Sequence, residues 1–176
     1  MQQVLIVYSH PISLLFREYM FETILYTFLL SISPFGEARA GIPYAILNDI
    51  NIVLAFLVGT VGNTLIYPLL MWLIDTFSQK LWPFRPYKKS VVFLSKRARK
   101  IAGANVQKRG FWGLMVFVMV PLPGTGAYMG TIAANLFKIE RKRAFLAISL
   151  GVFFSSLIMA AGTYLGSLGV QQITAP

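Results

Sequence analysis

Between Ala144 and Leu168 the chain carries no charged residue. A helix needs about 20 apolar residues to cross the ~30 Å hydrocarbon core of a bilayer, so this stretch commits the chain to lipid as a solvent. Asn51 to Phe77 has the same character and is uncharged until Asp75. Two further apolar stretches are interrupted. Ile12 to Ser33 carries Arg17, Glu18 and Glu22 in its first half, and Gly110 to Phe137 is broken by Pro121-Leu122-Pro123-Gly124-Thr125-Gly126. Composition agrees: 12% of residues are charged, against roughly 25% in a soluble domain, too few to cover a water-facing surface.

The interruptions limit what the broken stretches can build. Paired prolines and glycines at 121–126 end a helix rather than bend it. The arms on either side, Phe111–Val120 and Ala127–Phe137, reach only about half the hydrocarbon thickness at 1.5 Å per residue. Such a pair of arms predicts a re-entrant hairpin that enters and leaves by one face. The same design recurs earlier, where Ile24–Ser33 leads into Pro34-Phe35-Gly36-Glu37-Ala38-Arg39-Ala40-Gly41-Ile42-Pro43 and the short arm Tyr44–Leu47.

Charge placement supports this reading. The net charge is +10, with ten basic residues from Lys80 to Arg109, a second cluster at Lys138, Arg141, Lys142 and Arg143, and no acid between Asp75 and Glu140. Lys and Arg concentrate in cytoplasmic loops, and a hairpin over 110–137 keeps both clusters on that side. No nucleic-acid-binding motif accompanies the charge, so no nucleic acid is expected as a partner.

The predicted fold is an all-α integral membrane protein, an inverted repeat of re-entrant hairpin plus transmembrane helix with amphipathic surface helices. Its segments are a surface helix over 12–23, hairpin 1 over 24–48, a transmembrane helix over 51–77, a basic cytoplasmic amphipathic segment over 78–109, hairpin 2 over 110–137 and a transmembrane helix over 144–168. In the basic segment Val91, Leu94, Ala98 and Ile101 share one helical face, with Lys89, Lys96, Arg97 and Lys100 roughly opposite. That face suits anionic headgroups, and it reads equally as a solvated linker.

Interrupted helices in matching positions of an inverted repeat point to a transporter's binding site. Irregular backbone at membrane depth survives only where protein or a wet cavity satisfies it, so the two broken loops are expected to meet. Glu37 and Arg39 are the sharpest candidates, because ionisable residues inside a membrane segment are costly and by default functional. They would pair, with Arg39 binding an anionic headgroup and Glu37 exchanging a proton; a hydrated pair at the interface is the competing reading. Pro43 closes that motif. Pro121, Pro123, Gly124, Thr125 and Gly126 form the partner loop, whose glycines admit close approach and whose free amides at the next helix start attract anions; a plain kink competes. Tyr128 and Asn135 follow on the second arm. Asn63, with Tyr67 one turn on, serves equally as packing glue between helices. Gly162 and Gly166 read as helix packing, Asp75 as interfacial and His10 as incidental. The chain has no cysteine, no nucleotide loop, no metal-ligand cluster and no Ser/His/Asp set, so neither an enzyme, a cofactor nor a metal is expected.

The two motifs, Glu37-Ala38-Arg39-Ala40-Gly41-Ile42-Pro43 and Pro121-Leu122-Pro123-Gly124-Thr125-Gly126-Ala127-Tyr128-Met129-Gly130, resemble those of the small multidrug export protein family, a prokaryotic family related to the DedA/VTT membrane proteins. The resemblance runs from the first hairpin through the last helix. It implies paired re-entrant hairpins with transmembrane helices in a prokaryotic inner or plasma membrane. By analogy with DedA relatives, which are linked to lipid-phosphate movement, Glu37 would be the proton-sensitive acid and Arg39 the phosphate contact. DedA proteins typically carry an arginine in the second hairpin motif, and Pro121 to Gly126 has none.

These readings imply a small secondary transporter, proton-coupled, or a flippase of an amphipathic or lipid-phosphate substrate. Export of cationic compounds with Glu37 as counter-ion is the alternative, and a non-transporting membrane scaffold is the third. Membrane lipids at the basic loop are expected partners, and so few helices to enclose a cavity leave room for a homo-oligomer.

Overall fold

The computed structural model describes residues 2–81, 89, 92, 93, 95–100, 106, 109–122 and 125–174. Every regular element among them is helical: α1 (Gln2–Ile32), α2 (Glu37–Leu47), α3 (Ile52–Thr64), α4 (Ile66–Leu81), α5 (Phe111–Met119), α6 (Ala127–Leu136) and α7 (Arg141–Thr174). Two runs are long and apolar enough to cross a membrane, Ile52–Thr76 and Arg141–Val170. Large apolar side chains such as Phe21, Leu57, Trp112 and Leu165 are exposed. Exposed apolar surface on that scale marks a contact with something other than water.

Most element ends follow from local chemistry. Ser33 precedes Pro34 and Val120 precedes Pro121, and a residue before proline is pushed out of the α region; Val120 sits at φ −71, ψ 118. The stretch 51–77, read from the sequence as one helix, is split at Leu65 into α3 and α4, because Pro68 has no N–H to give the Thr64 carbonyl. A second division also differs from the sequence reading: 12–23 and 24–32 form a single helix within α1. Charges at i, i+4 spacing do not interrupt a helix, and no proline or glycine stands between Pro11 and Pro34.

α1 and α2 pack as a hairpin. The Tyr26 and Tyr44 rings meet edge-on at 6.4 Å and the Tyr19 hydroxyl donates to Asn48 Oδ1 at 3.0 Å. The second hairpin, α5 and α6, closes where Gly130 meets Val118. The main core unites α4–α7 around Leu114, Val118, Ala133, Ile148 and Val152. Ala98 and Val106 join it, while Lys96, Arg97, Arg99 and Lys100 on the helical stretch 95–100 are exposed. Val91, Leu94 and Ile101 lie outside the described residues.

The recurring design noted in the sequence has a residue register that the sequence reading did not give. At a spacing of 89 residues stand Pro34 and Pro123, Ala38 and Ala127, Gly41 and Gly130, Ala45 and Ala134, Ile50 and Ile139, and Gly62 and Gly151. Backbone geometry repeats with them. α2 ends with Asp49 at φ 61 and Ile50 N–H donating to the Ala45 carbonyl at 3.0 Å, and α6 ends with Lys138 at φ 54 and Ile139 N–H donating to the Ala134 carbonyl at 2.9 Å. Both are Schellman closures, in which a left-handed residue satisfies the last helical carbonyls. Each hairpin's second arm packs on the long helix of the other half, α2 on α7 and α6 on α4.

Candidate functional site

A helix that stops inside a protein leaves unpaired carbonyls at its C-terminus and unpaired amides at its N-terminus. The 120–126 break creates both, and both are satisfied from the other hairpin. Arg39, on the first turn of α2, donates through Nη2 to the carbonyls of Val120 at 3.1 Å and Val118 at 3.5 Å, to Thr125 Oγ1 at 3.1 Å, and through Nη1 to the Leu122 carbonyl. Thr125 ties the loop to itself: its hydroxyl lies 2.7 Å from the Val120 carbonyl and 2.9 Å from that of Leu122.

At the other side of the break α6 begins after Gly126, which has no side chain to act as a cap. The cap comes from Glu37, whose carboxylate accepts from the amides of Tyr128, at 3.3 Å, and Ala127. Glu37 is only 8% exposed and holds a left-handed φ of 54, a conformation costing a non-glycine residue roughly 1–2 kcal/mol. Its carboxylate can lie there because Gly126 has φ 139 and no Cβ; a Cβ would collide with both carboxylate oxygens.

The signs of charge match the helix dipoles. The N-terminus of a helix carries about +0.5 charge and the C-terminus about −0.5; Glu37 sits at the first in α6 and Arg39 at the second in α5. The contact is reciprocal, since the Tyr128 hydroxyl donates to the Ile32 carbonyl at the end of α1. Arg39 and Tyr128 occupy equivalent positions of the two halves, and each caps the opposite hairpin's first arm. No ion pair joins Glu37 to Arg39 among the described residues; the amides expected to hold an outside anion are occupied by Glu37.

Beside this junction lies a cleft of about 340 Å³, lined by Pro34, Phe35, Glu37, Arg39, Pro121, Leu122, Thr125, Tyr128 and Met129 among others. Phe35 stands at its lip, 99% exposed. The wall is mostly apolar, with one acid, one guanidinium and one phenol, which suits an amphipathic molecule carrying a charged or polar head. Arg39 Nε is buried without a partner among the described residues.

The structure thus brings together Glu37, Arg39, Pro121, Thr125, Gly126 and Tyr128. Pro123 and Gly124 lie outside the described residues. Pro43 sits inside α2 and does not line the cleft. Asn63 is 3% exposed within α3 and also stands apart from the cleft, and Asn135 is near the end of α6. Asp75 makes a bidentate pair with Arg141, both bonds 2.9 Å. Sequence reasoning missed the acceptors, the carbonyls of Ile32, Val118, Val120 and Leu122, because backbone groups carry no residue signature. The Pro-rich break was the signal that such orphan carbonyls exist.

No curated protein and no solved structure matches the chain. The model of the family described as "Putative small multi-drug export protein" matches residues 37–158, from the Glu37 cap to well within α7, and includes the Glu37–Pro43 motif and the 121–126 break. With its two spanning-length helices and its exposed apolar surface, the chain is a membrane protein, and it belongs to that small multi-drug export family.

Proposed function

We propose that the protein is a small secondary transporter, not an enzyme, that exports amphipathic compounds from the cleft between two re-entrant hairpins, with Glu37 exchanging a proton. The observation that carries this reading is the Glu37 cap on α6. A charged carboxylate there holds the hairpins together against two amides; a neutral one bonds them more weakly. Protonation therefore loosens the junction beside the cleft, which is the coupling an antiporter needs. The matched hairpins and long helices of the two halves are read as an inverted repeat, with the basic loops cytoplasmic and the exposed face of 95–100 against anionic headgroups. In this reading an amphipathic cation is the substrate and Glu37 its counter-ion once the cap opens.

A second reading, movement of a lipid phosphate, is favoured by Arg39 Nε, a buried donor with no partner among the described residues, which an anionic headgroup would satisfy. The two are separated in proteoliposomes with an imposed pH gradient, comparing a fluorescent lipophilic cation with a fluorescent polyprenyl-phosphate analogue. Cation movement driven by the gradient, with the gradient dependence lost in Glu37→Gln, is the expected result. Movement of the phosphate analogue alone would replace the first reading with the second, and movement of neither by folded protein would sink both.

A further inference from the structure

The α3–α7 crossing holds buried polar atoms that the cleft does not use. Among the buried hydroxyls, those of Thr23, Thr27, Ser31 and Thr131 each turn back to the carbonyl four residues earlier at 2.7–2.9 Å, whereas Ser156 Oγ, farther along α7, has no partner among the described residues. Thr60 and Ser149 have the same carbonyls within reach and do not use them: Thr60 Oγ1 and Ser149 Oγ are buried with no partner among the described residues, and so is Asn63 Oδ1. A buried unsatisfied polar group calls for a partner.

The register places these atoms together. The Phe56 ring on α3 packs on the Phe153 ring of α7 at 5.4 Å, and further along the Tyr67 hydroxyl donates to the Arg141 carbonyl at 3.0 Å. The helices therefore run antiparallel. One turn on from Phe56 is Thr60, one turn back from Phe153 is Ser149, and Asn63 follows Thr60 by a further turn on the same face. Thr60 and Ser149 also stand at the 89-residue spacing that relates the halves, as Glu37 and Gly126 do. The register sets them opposite each other, and no hydrogen bond joins them among the described residues.

We infer that this crossing is a binding site for a water molecule, which accepts from the Thr60 and Ser149 hydroxyls and donates to Asn63 Oδ1. Three partners are the usual number for a buried water, and a bridge of this kind spans polar groups too far apart to bond directly. A cation is the poorer occupant. The crossing offers it no anionic partner: α3 carries no charge, and the charges of α7 are confined to the basic residues 141–143. The water joins α3 to α7, independently of what the cleft carries.

The test is a double-mutant cycle on the melting temperature of the purified protein in detergent, with Thr60→Val and Ser149→Ala. A shared water predicts that either change lowers the melting temperature by a few degrees and that the second adds little to the first. Unchanged or raised melting temperatures would overturn the site, since removing a merely unsatisfied polar group does not destabilise. The exchange variant, Thr60→Ser with Ser149→Thr, keeps both hydroxyls and the summed volume and should melt as wild type; a fall as deep as that of the apolar pair would assign the effect to shape and overturn the site. Melting in sodium chloride and in choline chloride should agree, and a rise specific to sodium would replace the water by a cation.

Discussion

At Gly126 two demands meet that a side chain cannot satisfy together. Its φ of 139 is open to few residues other than glycine, and the space where a Cβ would point is filled by the Glu37 carboxylate. Gly126→Ala should therefore cost roughly 1–3 kcal/mol, read as a lower melting temperature of the purified protein. Adding Glu37→Ala removes the steric part but not the backbone part, so the double variant should melt above the sum of the two single losses. Additive losses would mean that the carboxylate does not occupy that space. Among single residues, Glu37 and Arg39 were legible because charge is rare in apolar sequence. Their partners were not, because carbonyls and amides are the same in every residue.

The helical elements divide along similar lines. Prolines at 34 and 121 mark their stops on the page, since a missing N–H and a clash with the preceding residue are local properties; the stop that Pro68 imposes was passed over, because the run 51–77 around it is apolar without interruption. The corners after α2 and α6 do not announce themselves, because neither Asp49 nor Lys138 is the glycine usual at a left-handed helix end. Lys138→Gly removes the left-handed strain at φ 54 and should stabilise the protein by up to about 1 kcal/mol. Asp49→Gly should gain less, since aspartate tolerates that conformation better than lysine. Denaturation curves of the two variants decide the order; a loss of stability in Lys138→Gly would contradict the corner as described. The expected surface helix at 12–23 merged into α1 for the converse reason: charged residues suggested an interface, yet nothing in the segment stops a helix.

For the molecule as a whole, the prediction is topological. If both hairpins are re-entrant, positions on the two sides of hairpin 2 lie on one face of the membrane. Single cysteines placed at Ala104 and at Glu140 in this cysteine-free chain should then react with an impermeant thiol reagent from the same side in intact cells and from the other side in inverted vesicles. Labelling from opposite sides would show that 110–137 crosses the bilayer and would remove the inverted repeat. The reading of the cleft depends on that outcome, whereas the crossed caps do not.

Lipid as the solvent and the positions of the helix breaks are read from the amino-acid sequence alone, because apolar length and the missing amide of proline act over a few residues. The sequence also marked the two loops that meet. Only the tertiary structure decided what each marked residue does there. Arg39 reaches Leu122 across 83 residues of chain and Glu37 reaches Tyr128 across 91, so both charged residues of the first motif bond backbone groups at the break in the second. A buried carbonyl or amide must find a partner wherever the fold supplies one, and that choice is made by packing between distant segments, which no local pattern records.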